Sequence, residues 1–436
     1  MRNTLPVIST LKFRGSYGSL GNQSVAYFGY LQTLKTDKSK FLPGGNAGQT
    51  IVTGAPSLQV DPANYTWEKV TTTNVGTDMG FVQNKFQASF DYFIRNTTGM
   101  LAQGQELPAV LGTGAPQQNV ADLSTRGWEL SLGYRNDFNV ASKPLGFGVK
   151  VILSDDKTKI TRFQNEQKLF GSNYWPGQTY GEIWGLTNDG YFKNKDEINK
   201  LDQSAIIPWG ALEIVEGWPK YKDLDGNGKI ERGISAKDPK DLKVIGNTSP
   251  HYRFGVNLDM NWNGIDLSVF LQGIGKMDYY PHHYLFWGPY QQPYASIYPW
   301  NLDYYRATAD NEATRAQHSE SYIKAGLADA NTNSYFPVLQ SWLADNNDKK
   351  GLDIPQSKYM LNAAYLRIKN VTLGYTLPAS LTRRYHINRL RIYVTGENIF
   401  EFSSIKKYLD PESIIDGYGW AYPYQRKYAV GLNLDL

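Results

Sequence analysis

Two stretches of this sequence carry residue types at spacings that could do chemistry, one acidic and one aromatic. Asp223-Leu224-Asp225-Gly226-Asn227-Gly228-Lys229-Ile230-Glu231 matches the first nine positions of a calcium loop. Asp223, Asp225 and Asn227 would offer side-chain oxygens, Lys229 its carbonyl, and Glu231 a carboxylate directly or through water, with Gly228 making the turn. Hard divalent cations need such oxygen clusters. The twelfth position, where a bidentate carboxylate completes the sphere, is Ile234, and Asp238 comes four residues late. The same stretch also reads as an acidic turn built on Asp-Gly and Asn-Gly, without metal.

The aromatic stretch begins His282-His283-Tyr284-Leu285-Phe286-Trp287-Gly288-Pro289-Tyr290 and continues to Tyr294, Tyr298 and Trp300. Flat rings with polar edges stack on sugar faces or on extended peptides, so Trp287, Tyr290, Tyr294 and Trp300 are candidate substrate contacts. The competing reading is packing of the loop against a rim or a partner protein. His282 and His283 read as surface histidines, because adjacent residues diverge in a strand and no carboxylate cluster adjoins them in sequence. For catalysis there is little. Asp91, Glu129 and Asp266 fall on polar faces of strands, and no Ser-His-Asp order or phosphate-cradling glycine loop is present, so no enzyme is expected.

The elements that hold these loops are strands. From Tyr252 to Trp262 every even position is apolar, and Asn263-Gly264 supplies a type I′ turn before alternation resumes at Ile265, Leu267, Val269 and Leu271. Similar runs occupy Leu11–Tyr17, Phe86–Ile94, Trp128–Tyr134, Leu145–Leu153, Leu390–Val394 and Tyr424–Leu436. The run Tyr365–Pro378 shifts phase near Asn370, as a β-bulge would. With weaker candidates the chain predicts about ten or eleven strands, each near the ~9–11 residues of a tilted membrane-crossing strand. Tight connections are expected at Asn263-Gly264, Asn136-Asp137 and Pro378–Asn388, and long ones over Gln23–Pro62, Asp156–Pro250 and Tyr279–Ala363. Short turns on one side and long loops on the other suit an outer-membrane barrel.

Composition agrees. In 436 residues there are 41 Gly and 31 Tyr, a balance that suits strands and tight turns. Mean hydropathy is −0.48 and no apolar run approaches ~20 residues, which excludes a helical membrane protein but not a barrel. With no Cys, thiolate catalysis and Cys-ligated metals are impossible. A net charge of +4 from 45 basic and 41 acidic residues is too balanced to imply nucleic acid.

Several short stretches carry a family resemblance. They are Leu11–Gly18 with Gly21-Asn22-Gln23, Trp67-Glu68, Asp91-Tyr92-Phe93, Asn119, Gly127-Trp128-Glu129 and the acidic loop. Further on come Tyr365–Pro378, Gly396-Glu397-Asn398-Ile399-Phe400, Asp410-Pro411-Glu412, Tyr422-Pro423 and Gly431–Leu434. In order and spacing the chain resembles the C-terminal part of a SusC/RagA-type TonB-dependent outer-membrane transporter. The resemblance implies an all-β chain, residues 1–436 forming roughly the last half of a transmembrane antiparallel barrel of about 22 strands, with long extracellular loops. It implies active import of an oligomeric nutrient, glycan or peptide, across the outer membrane of a Gram-negative bacterium. A SusD-like surface lipoprotein would cap the barrel. The TonB complex would act through a plug and TonB box that lie, with a signal peptide, before Met1, so transport by this chain alone is not expected. One departure is the ending Asp435-Leu436, where family members usually finish on an aromatic. No cofactor is expected beyond Ca²⁺ in the acidic loop. The alternative is a soluble or surface-attached all-β carbohydrate-binding protein with a structural calcium loop, which would bury Val430, Leu432 and Leu434 instead of showing them to lipid.

Overall fold

Alternating apolar and polar residues give ten long strands in a computed structural model that describes residues 7–22, 31–38, 51–54, 56–58, 65–104, 107–171, 174–210, 212–345, 349–414 and 422–436. They are β1 (Ile8–Asn22), β2 (Glu68–Phe81), β3 (Phe86–Gln103), β4 (Gln117–Val140) and β5 (Lys143–Arg162). After a long insertion follow β6 (His251–Trp262), β7 (Ile265–Lys276), β8 (Tyr365–Thr376), β9 (Arg389–Ser403) and β10 (Lys427–Asp435). Their lengths run from 9 to 24 residues, longer than expected at the upper end. No helix among the described residues is long and apolar enough to cross a membrane. Most of the long connection 23–62 lies outside the described residues.

The chain divides into two compact units, and the division falls inside β4 and β5. In the first unit (1–132, 154–180 and 235–237) hydrogen bonding runs β1, β2, β3, β4, β5. The β1–β2 and β2–β3 pairs are antiparallel, Arg14 lying opposite Gly76 and Gly76 opposite Asp91.

The second unit (133–153, 181–234 and 238–436) takes β4 to β10 in sequence order. The β6–β7 hairpin turns at Asn263 and Gly264, with φ of 48° and 86°, as their types predict. The register of β8 shifts between Ile368 and Asn370, where alternation slips. The expected turn at Asn136-Asp137 is corrected: both residues lie within β4, and the chain reverses at Ala141-Ser142, whose φ values are 49° and 60°. Strand pairing on both sides outweighs the local turn preference of Asn and Asp. Val430, Leu432 and Leu434 of β10 are 77%, 60% and 45% exposed, which disfavours the soluble binding protein that would bury them.

The core of the second unit lies in its loops. Residues 181–250 and 277–364 are long connections, as expected, but they are built. Short strands Glu182–Gly185 and Lys243–Asn247 pair, as do Asn188–Tyr191 with Pro219–Tyr221 and Asp278–Tyr279 with Leu361–Asn362. The helix Lys195–Lys200 is capped by Asn194, whose side chain accepts from the Glu197 N–H at 2.9 Å, and Ser319 caps Glu320–Lys324 similarly. Around these pieces Phe192, Trp218, Phe286, Trp287, Tyr290, Phe336, Leu352 and Tyr359 form one buried cluster. Ile405, Leu409 and Ile414, from the connection after β9, complete it.

Candidate functional site

The helix Tyr284–Trp287 and the turn Gly288–Tyr290 drive the aromatic stretch into this core. Trp287 is edge-on to Phe286 at 4.8 Å and to Tyr359 at 5.0 Å, and Tyr290 stacks on Phe336 at 5.6 Å. Their polar tips are satisfied inside: the Trp287 indole N–H donates to the Pro281 carbonyl and the Tyr290 hydroxyl to that of Pro337, both at 2.8 Å. Trp287 and Tyr290 are buried, so their assignment as substrate contacts is corrected to core packing. Burial also pushes the Tyr290 and Tyr359 phenols well above their usual pKa. Trp300 is half-buried, stacked on Tyr298 at 4.9 Å and edge-on to Tyr408 at 5.3 Å.

Only Tyr294 of the four candidates is fully displayed, at 75% exposure. Its ring meets Trp342 edge-on at 6.2 Å. Trp342, half-buried, has φ 69°, and the exposed Trp209 has φ 59°. Positive φ in so bulky a residue stores strain, which persists where surrounding structure enforces it. The enforcement is visible at Trp209, whose indole N–H donates to the buried Asp345 carboxylate at 2.9 Å. Asp345 in turn lies three residues after Trp342. Sequence reasoning missed Trp209 and Trp342, which are isolated in sequence; only packing leaves Trp209 exposed and Trp342 half-buried beside Tyr294.

In the acidic loop, Asp223 accepts backbone N–H groups of Gly228 and Gly226, each at 2.7 Å, and of Asn227 at 3.3 Å. These bonds hold its carboxyl below the usual range. Asn227 Oδ1 accepts from the Lys229 N–H at 2.8 Å. Oxygens of Asp223, Asp225 and Asp241 lie within 4.8 Å of one another. Asp241 is fully buried, accepting from the Leu224 and Glu231 N–H groups, and burial together with Asp225 and Asp223 raises its pKa. The acidic residue that joins the loop is therefore Asp241, not Asp238, whose carboxylate instead meets Lys240 at 3.5 Å. A short strand pair, Arg232–Ser235 with Asp238–Lys240, turns the chain back to place it.

The two histidines differ: His282 is half-buried, and His283 is not a surface residue. His283 is buried with neither ring nitrogen hydrogen-bonded, and burial lowers its pKa to about 4. His282 Nδ1 lies 2.9 Å from Asp353 Oδ1, so a carboxylate does adjoin this pair, 71 residues away in sequence.

Two of the strand carboxylates, Asp91 and Asp266, form ion pairs across glycines. In the first unit Arg14 of β1 reaches over Gly76 of β2 to Asp91 of β3 at 2.8 Å, and also binds Asp78 at 2.9 Å. A Cβ on Gly76 would sit 2.3 Å from the Asp91 carboxylate. In the second unit Arg391 of β9 spans Gly374 of β8 to reach Asp266 of β7 at 2.5 Å, with the same requirement for an absent Cβ. Paired charges on one face and exposed apolar rows on the other are the two surfaces of a membrane barrel wall.

No family model matches the chain. Among curated proteins it is 24% identical to TonB-dependent receptor P3 of Formosa agariphila, over 98% of this chain and 40% of that protein. It is 27% identical to TonB-dependent receptor SusC of Bacteroides thetaiotaomicron, over 99% of this chain and 38% of that one. The solved structure of the RagAB peptide transporter matches with a TM-score of 0.68 at 20% identity, over 99% of this chain and 42% of that one. The chain thus spans about 40% of the length of the curated relatives it matches. These likenesses bear out the resemblance to SusC/RagA-type TonB-dependent transporters, an outer-membrane β-barrel fold, and a place in the outer membrane of a Gram-negative bacterium. The curated relatives are described as receptors and not as enzymes.

Proposed function

We propose that this chain forms barrel wall and outer loops of a TonB-dependent importer of oligomeric nutrients, glycan or peptide. The observation that carries the reading is the likeness of 98% of this chain to a TonB-dependent receptor, joined to strands whose apolar rows are exposed. Ion-paired strand faces would line the path, and the built loops would meet substrate and a SusD-like lipoprotein lid. The TonB complex would engage a plug supplied by residues outside this chain. Tyr294 and Trp342 provide the ring surface for substrate, in place of Trp287 and Tyr290. Deleting the gene in the source organism should abolish growth on one class of oligomer while growth on its monomers persists. Unchanged growth on every oligomer that the organism uses would sink the import reading.

A second reading concerns Ca²⁺. Three carboxylates within 4.8 Å repel one another, and a hard divalent cation relieves that repulsion while joining the loop to Asp241. Asp223, Asp225 and Asp241 would be its carboxylate ligands, with Asn227, Lys229 and Glu231 supplying further oxygens. Calorimetric titration of the chelated protein with Ca²⁺ should release heat that Asp225→Asn removes; no heat above background overturns it.

A further inference from the structure

We infer that a cavity in the loops of the second unit binds a carboxylate group of an acidic oligomer. The cavity, about 320 Å³, is lined by Arg232, His282, Lys349, Asp353, Ile354 and Pro355. That volume is at the lower end of the roughly 300–1,000 Å³ of small-molecule sites. Arg232 donates one bond from Nη1, at 2.7 Å, to the Lys349 carbonyl, which anchors the guanidinium to the wall. No carboxylate among the described residues forms an ion pair with Arg232, and the guanidinium keeps further N–H donors in a planar fork that matches a carboxylate.

The one carboxylate among the described lining residues is already engaged. Asp353 holds His282 Nδ1 at 2.9 Å, and its side chain is only 9% exposed. Among the described lining residues Arg232 and Lys349 face Asp353 alone, whose charge also acts on Arg232, and the net positive charge that remains attracts an anion. Ile354 and Pro355 add an apolar wall, which favours an organic carboxylate over a fully hydrated inorganic ion. The inference deepens the import reading and rests on it only for the ligand being part of an oligomer. A uronate sugar or an acidic amino-acid residue would present the same group.

The test is direct binding to the full-length protein in detergent at low salt, without transport, so failure of import and failure of this site are separable. Trigalacturonate and triglutamate are titrated beside neutral galactotriose and triglutamine. Saturable binding of one acidic trimer, at least about tenfold tighter than its neutral counterpart, is expected, and which trimer binds identifies the source. Arg232→Gln should weaken it about tenfold or more. Lys349→Glu, at an exposed position, should weaken it comparably while hydrogen exchange of the loops stays unchanged, which guards against misfolding of the arginine variant. Equal binding of acidic and neutral trimers, no binding of either acid, or a Kd indifferent to Lys349→Glu overturns the inference.

Discussion

The strands and the loops of the second unit obey opposite rules of burial. In β10 the apolar side chains Val430, Leu432 and Leu434 are uncovered, whereas in the loops Phe286, Trp287, Tyr290 and Tyr359 are almost wholly enclosed. A protein bathed only in water would bury both sets. The contrast has a simple cause: the strands are built for hydrocarbon and the loops for water, so each hides what its own solvent rejects. The loops of the second unit are accordingly a folded body with their own core, caps and ring packing.

The largest effect should come from emptying the loop core. Trp287→Ala removes an indole held on several sides and should cost about 3–5 kcal/mol locally. Hydrogen exchange should then accelerate through residues 277–364 while β6 to β10 keep their protection; equal loss in the strands would break the separation of the two regions. Next is the lipid face. Leu432→Arg should cost about 2–4 kcal/mol if the residue lies near the bilayer midplane, read as loss of the heat-modifiable folded band after refolding into vesicles. The loop variant should leave that band nearly unchanged.

Acid should loosen the loops before the wall. His283 in the folded loops has its pKa lowered to about 4 from 6.5, so the unfolded loops bind the proton more readily. The stability it contributes is present above pH 6.5 and is lost as pH falls from about 6.5 to 4, amounting to about 1–3 kcal/mol. Exchange rates of the loops measured across that window should rise, and His283→Phe should flatten the rise. The smallest effect is expected within the wall itself. Gly374→Ala would place a Cβ 2.5 Å from the Asp266 carboxylate and 2.6 Å from the Arg391 guanidinium. Parting this half-exposed pair should cost about 1 kcal/mol, and adding Asp266→Asn should then cost little more.

Much of the barrel wall was legible because its code is local. The β6–β7 hairpin, its Asn263-Gly264 turn and the slip at Asn370 follow from a period of two and from turn chemistry, which neighbouring residues determine. The misplaced turn at Asn136-Asp137 marks the limit of that code, since pairing with the adjacent strands carried β4 past two turn-forming residues. The family resemblance, too, rested on short strand and turn stretches and held.

The candidate site was legible only in part. The acidic loop and the exposed Tyr294 stand where their residue types suggest, but the partners that complete them come from elsewhere. Asp241 joins Asp223 from 18 residues on, and Asp353 meets His282 across 71. By itself the sequence determined strands, hairpins, the alternating wall and the composition of the loops, because those properties repeat over two to four residues. Tertiary structure alone decided that Trp287 and Tyr290 are core, Trp342 half-buried and Trp209 surface. An aromatic ring is equally suited to a core and to a ligand, and only long-range packing of the loops settles which side of it water occupies.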